Sequence, residues 1–417
     1  MEGDLQRNIG KRMPRIDVLS QVTGKALYGE DLTRPGMLYG VALRSKYAHA
    51  KIPQIDTQAA EKVEGVLAII TAKDIPNNIF GFTHLDQPVL AEKKVRYLGE
   101  PLAVVAASSP EKAREAVRLI KVDYQPLPGV FQAKKALAED APKIHDKGNL
   151  ASHVKIRSGC VEEGLKHSTL IIEDEFSSPY IEHAHIEPHV ALAEVDRDGK
   201  LVIWTSTSRP FAYLTHLCKV LQMPSHRLKI IVPSVGGSFG GKNEISLEPW
   251  VALLAMKTGR PVKMVFTRQE EFTGSSVRHP YQMRYVTGVS SEGMLLARKI
   301  EVYSNTGAYV QLGEETLKRA CISGCGPYYI PHIEIDGYLV YTNGPVGGAM
   351  RGFGVSQVAF AHEVHMERIC RELGMDSFEF RSKNALKNGD PLPTGQLIIR
   401  PSIKETILRA REICSSY

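Results

Sequence analysis

Residues 235–243 read Val-Gly-Gly-Ser-Phe-Gly-Gly-Lys-Asn, one phenylalanine held between two glycine pairs. A run this poor in side chains lets a ligand reach the backbone and lets the chain adopt positive φ without strain. Set between an apolar strand and an apolar helix, it also aims the helix's unpaired N–H groups at whatever docks, so an anionic or oxo-bearing group is expected there. Gly236, Gly241 and Lys242 match the G-x-x-x-x-G-K part of a phosphate-binding P-loop, with a strand at 228–233 and a helix at 244–258 as its context. The last position departs. A P-loop needs a Ser or Thr hydroxyl on magnesium after the lysine, and Asn243 stands there. The strand at 261–266 ends in Thr267-Arg268, without the aspartate that would share the metal. A P-loop nucleotide hydrolase therefore stays as an alternative, beside a glycine turn that only lets helix and strand pack.

A second bend, Gly347-Gly348-Ala349-Met350-Arg351-Gly352-Phe353-Gly354, also precedes a helix. Two such bends read as two walls of one pocket. The Arg351 guanidinium offers a planar fork for phosphate or oxo groups, and phenyl faces suit a flat aromatic guest. Direct metal ligation has less support. Cys321 and Cys325 form a C-x-x-x-C without a second pair, and Cys160, Cys218, Cys370 and Cys414 are scattered, so the cysteines read as reduced, buried small hydrophobes. His183, His185 and His189 alternate as in a strand, and His362 and His365 fall on a predicted helix. No carboxylate or thiol accompanies them at ligand spacing, which favours structural or substrate-side roles.

These residues need elements to hold them. With 417 residues, 43% of them hydrophobic, the chain can bury one large core or two to three ordinary ones. The net charge of +6 is spread without a basic block, so nucleic-acid binding has little support. No stretch approaches the ~18 apolar residues of a membrane span. The first twenty residues carry Arg7, Lys11, Arg12 and Arg15 and no apolar signal region, so a cytoplasmic chain without membrane contact is expected. A first α/β unit runs from about Gly24 to Pro128, with a strand at 102–107 and a helix capped by Ser109 and opened by Pro110. Ala113, Ala116, Val117 and Ile120 share that helix's face. A polar connector over 132–149 leads to a strand-rich unit with strands at 201–205, 228–232, 261–266, 281–286 and 296–304. Helices at 211–221, 244–258 and 356–373 interrupt them, and another spans 403–413.

With the bends in place, the chain resembles the molybdenum hydroxylases of the xanthine oxidase type along nearly its whole length. Gly24-Lys25-Ala26, Arg44-Ser45, His49-Ala50 and Tyr97-Leu98-Gly99-Glu100-Pro101 are similar to the family's hammerhead-like α/β domain. Glu187-Pro188, the first bend, Arg278-His279-Pro280, the run from Ser304 to Tyr309 and Arg351-Gly352-Phe353-Gly354 are similar to its first molybdopterin-binding domain. The resemblance implies a mixed α/β fold with the hammerhead-like domain over 1–131, a connector over 132–149 and the molybdopterin-binding domain over 150–417.

It also implies roles. Gly237, Phe239 and Gly240 would lie against the molybdenum centre, the Gly240 amide facing an oxo ligand, with Ser208 and Arg351 near the cofactor. Phe353 would stack on an aromatic substrate, Arg319 would bind a substrate carbonyl, and Asn243 would face the substrate. No residue of the chain would ligate the metal directly. Asn243 replaces a glutamate common in purine oxidases, and Ser208 replaces a glutamine common beside the metal. The implied activity is hydroxylation of an N-heteroaromatic ring, nicotinate-like or a purine such as xanthine, with water as oxygen source. An aldehyde oxidoreductase of the same family is one alternative, and a non-catalytic scaffold or truncated fragment is another. The implied cofactor is molybdopterin in its cytosine dinucleotide form, its molybdenum carrying a sulfido or selenido ligand. The family's base glutamate belongs to the module's second half, expected on a separate subunit, with iron–sulfur and FAD subunits to carry electrons. That makes the chain one component of a hetero-oligomer, in the manner of the large molybdopterin subunit of split enzymes such as nicotinate dehydrogenase.

Overall fold

The computed structural model describes residues 9–415; residues 1–8, with Arg7, and 416–417 lie outside the described residues. A seven-stranded sheet runs in the order Leu228–Ile231, Leu201–Thr205, Val190–Val195, Val262–Val265, Leu38–Arg44, Pro101–Ala107, Val66–Thr71. Strands from residues 38–107 thus continue a sheet built from residues 190–265. Leu38–Arg44 joins the two sets, parallel to Val262–Val265 and antiparallel to Pro101–Ala107. Every residue of Pro101–Ala107 is buried, as an apolar strand covered on both faces requires. Ala103 and Val105 face a cluster with Ala116 and Ile120 of the helix Pro110–Leu119 and its end. That helix starts as its sequence dictates, with the Ser109 side chain accepting from the Lys112 amide and Pro110 in the first turn. Val104 and Ala106 face the other way, into the core made with helices Pro210–Leu221 and Glu248–Thr258.

A five-stranded sheet in the order Leu170–Ser178, Tyr281–Val289, Leu295–Gly307, His332–Tyr341, Leu150–Ser158 carries the second core. Helices Gly313–Ser323 and Val355–Leu373 press Leu317, Ala320, Val358 and Ile369 onto Ile300, Val302 and Ile335. The segment 132–149, expected as a connector, is packed. Ala133, Ala136 and Ile144 belong to this core, and the buried Asn149 side chain binds the Ile144 amide and the Ala136 and Pro142 carbonyls. Cys321, Cys325 and Cys370 are buried as anticipated, but Cys160 and Cys218 are only partly covered and Cys414 is exposed. The helix expected from residue 244 begins at Glu248. Pro249 explains the shift, because a proline lacks the N–H that any later turn would need. Among the described residues no helix is long and apolar enough to cross a membrane.

Candidate functional site

The two glycine-rich bends meet backbone to backbone. The Arg351 amide donates to the Phe239 carbonyl at 2.8 Å. A Cβ on Gly240 would fall 2.4 Å from the Ala349 carbonyl oxygen and 2.9 Å from Met350 Cα, so this approach requires glycine. Phe239 and Phe353 themselves take φ of 51° and 48°. An aromatic residue in that region is strained by about 1–3 kcal/mol, and strain of this kind gathers at ligand sites. Among the described residues, the amides of residues 237–240 find no acceptor within the chain. Phe239 is 50% exposed, so the bend carrying these donors is open to a ligand. The helix whose N-terminus was expected to supply such donors starts only at Glu248, so they belong to the bend itself.

Glu187 fixes the base of the first bend. One of its oxygens accepts from Lys242 Nζ at 2.8 Å, Ser206 Oγ at 2.6 Å and the Gly236 amide at 2.8 Å, and the other from the Gly29 amide at 3.2 Å. Burial alone would raise this carboxyl, but the Lys242 ammonium and the other donors hold it below its ordinary value. The Lys242 side chain is fully buried in this pairing. It faces inward, away from any phosphate above the bend, and the P-loop match is therefore one of sequence only.

Beneath the bends lie three histidines, in an irregular segment and not in the strand their alternation had suggested; Ala184 within it has φ 50°. His183 Nε2 donates to the Ala349 carbonyl at 2.7 Å, and a Cβ on Gly241 would meet its ring at 2.9 Å. His189 Nε2 donates to the Gly241 carbonyl at 2.9 Å, and its Nδ1 faces Glu271 at 2.9 Å. The absence of a carboxylate near these histidines, expected from spacing, is thus corrected. Glu271 comes from the helix Arg268–Gly274, far along the chain, and no local pattern announces it. Burial opposes charge on both groups, yet their pairing prevails: His189 is raised and Glu271 is pulled down to about 2. His185, buried under Gly237, is pushed down to about 4 by desolvation.

Further side chains close the frame. Ser208 Oγ donates to Ser238 Oγ at 2.8 Å, and the Ser208 amide reaches the Lys242 carbonyl. Arg278 binds the Arg351 carbonyl at 2.7 Å and Gln357 Oε1 at 3.2 Å. A Cβ on Gly354 would meet the Thr316 carbonyl at 2.3 Å, so the second bend is seated on the helix Gly313–Ser323, where Arg319 stands exposed. The Arg351 side chain is exposed, while Phe353 and Asn243 are half-buried. Glu244, one place after Asn243, turns inward. One carboxylate oxygen accepts the Ala349 amide at 3.4 Å, the other has no partner among the described residues, and burial pushes the group up to about 7. In the sequence Glu187 stands out only as part of the Glu187-Pro188 pair, and no spacing marks Glu244 as part of the site.

Free amides in a glycine bend, an exposed arginine and two strained phenylalanines suit a flat, anionic or oxo-bearing cofactor held largely by backbone. Comparison with known proteins agrees. Residues 144–385 match the molybdopterin cofactor-binding domain, and residues 23–128 match the aldehyde oxidase and xanthine dehydrogenase a/b hammerhead domain. The chain belongs to the aldehyde oxidase and xanthine dehydrogenase family of molybdopterin-binding proteins. It is 37% identical over 406 residues to the nicotinate dehydrogenase large molybdopterin subunit of Eubacterium barkeri, covering 97% of this chain and 96% of that one. It is 40% identical over 377 residues to a probable xanthine dehydrogenase component of Bacillus subtilis, covering 90% of this chain but about half of that one, 51%. Its fold superimposes on the aldehyde oxidoreductase from Desulfovibrio gigas with a TM-score of 0.94 at 32% identity, covering 98% of this chain and 46% of that structure.

Proposed function

We propose that the chain is the large molybdopterin-binding subunit of a molybdenum hydroxylase that oxidises an N-heteroaromatic substrate, nicotinate-like or a purine such as xanthine. The observation that carries this reading is the junction of the bends, where the Arg351 amide meets the Phe239 carbonyl beside four unpaired amides. Gly237, Phe239 and Gly240, with Ser208 beside Ser238, would hold the cofactor from the first bend, and the Arg351 side chain from the second. When bound, the cofactor supplies a redox metal that activates water and takes up two electrons. The residues of the chain orient and exclude. Phe353 and Phe239 offer faces to the ring, Arg319 polarises a ring carbonyl, and Asn243 donates or accepts at the ring edge. The hammerhead-like domain over 1–131 and the molybdopterin-binding domain over 150–417 form half of the module. A second molybdopterin-binding subunit brings the base glutamate, and iron–sulfur and FAD subunits carry electrons onward in a cytoplasmic hetero-oligomer. The cofactor is assigned as the cytosine dinucleotide form with a sulfido or selenido ligand.

The test is to purify the complex from its source and measure molybdenum, the pterin nucleotide and the co-purifying polypeptides. One molybdenum per large chain, with oxidation of nicotinate or xanthine by the complex, is expected. Magnesium-dependent nucleotide binding without molybdenum would replace this reading with the hydrolase, and selective turnover of aldehydes would move the substrate class.

A further inference from the structure

We propose a second metal site beneath the first bend, in which His185, His189 and Glu271 hold a divalent transition ion of the zinc class. Their ligand atoms lie within 4.8 Å of one another, and the three side chains are at most 4% exposed. Glu271 Oε2 is 2.9 Å from His189 Nδ1 and 3.8 Å from His185 Nε2. A tetrahedral shell with bonds of about 2.1 Å places neighbouring ligands about 3.4 Å apart, and the two observed edges bracket that value. Two imidazoles and one carboxylate select zinc or cobalt over calcium or magnesium, which demand more oxygens.

Two independent features aim this cluster at an ion. His189 donates Nε2–H to the Gly241 carbonyl, the outer hydrogen bond that typically fixes a ligating imidazole, and the ion takes the place of the Nδ1 proton that otherwise faces Glu271, releasing it to solvent. His185 has neither ring nitrogen satisfied among the described residues, although the side chain is fully buried. A buried, unpaired imidazole is costly, and coordination removes that cost. A cavity of about 40 Å³ reaches His189, Ser275 and Gly241 beside the cluster, with room for a water. An ion here ties the segment 185–189 and the helix Arg268–Gly274 to the carbonyl of Gly241, so it braces the bend without touching what the bend binds.

The experiment uses the full chain, stripped with a chelator and reloaded with cobalt(II) or zinc(II), with molybdenum counted separately. One cobalt per chain is expected, with the intense visible bands of a tetrahedral ion. His185→Gln is expected to lower cobalt affinity at least tenfold, and circular dichroism reports whether that variant folds. X-ray absorption of the zinc-loaded wild-type chain needs no variant; two imidazoles with oxygen at about 2.0–2.1 Å are expected. No bound ion, a shell of six oxygens, or undiminished affinity in folded His185→Gln would each overturn the site. None of these readings depends on whether molybdenum is present.

Discussion

Replacing Lys242 with Met separates a brace from a ligand-binding lysine. In the native chain the Glu187 carboxylate takes four hydrogen bonds, one of them from a fully buried ammonium. The substitution leaves the carboxylate with Ser206, Gly236 and Gly29 as donors but without a counter-charge. Breaking a buried pair on one side costs about 3–5 kcal/mol, and the three surviving donors place this loss near the lower end, about 3 kcal/mol. Glu187→Gln is harsher, because the buried ammonium loses its counter-charge and keeps only neutral acceptors, Ser206 Oγ at 2.9 Å and the glutamine amide oxygen, and about 5 kcal/mol is expected. The double variant removes both charges and should recover most of the loss, giving a coupling of about 3 kcal/mol or more. Urea midpoints of the four proteins at pH 7 measure this cycle directly. Additive losses, or a Lys242→Met chain as stable as the native one that no longer takes up its cofactor, would mean that the lysine serves the ligand and not Glu187.

The buried Glu100, bound by the Tyr309 hydroxyl and the Arg96 amide, is pushed up to about 7 by desolvation from an ordinary 4.5. Its folded form holds a proton that the unfolded chain has lost, so its contribution is complete below pH 4.5 and disappears as pH rises through 7. At about 1.4 kcal/mol per unit, stability should fall by about 3 kcal/mol over that window, and Glu100→Gln should flatten the profile in denaturation at stepped pH. Gly240→Ala forces a side chain against the Ala349 carbonyl at φ 108°, which should cost at least about 2 kcal/mol and lower molybdenum content more than tenfold by elemental analysis. Phe353→Ala removes an aromatic face worth about 0.5–1.5 kcal/mol, so KM for the heterocycle should rise up to roughly tenfold while bound molybdenum is unchanged.

Much of this arrangement is legible in the chain because it is written in local chemistry. Ser109 and Pro110 announce their helix, a continuous apolar run announces Leu201–Thr205, alternation announces the start of Tyr281–Val289, and paired glycines announce both bends. What escapes is long-range. Glu271 joins His189 across the fold, and a lysine that completes a phosphate-loop pattern turns inward because Glu187 waits below it. The late start at Glu248 follows from Pro249, a local signal outweighed by the apolar run in which it sits. Nothing in sequence spacing indicates that Leu38 pairs with Val262.

That last pairing orders events during synthesis. Leu38–Arg44 has no lasting neighbour on one edge until Val262–Val265 has been made, more than two hundred residues later. At ribosomal speeds of about 5–20 residues per second, the early strands wait roughly ten seconds or longer with an apolar edge unpaired. The nascent chain is exposed to premature edge-to-edge association throughout that interval, and a chaperone that shields the early strands would decide its yield.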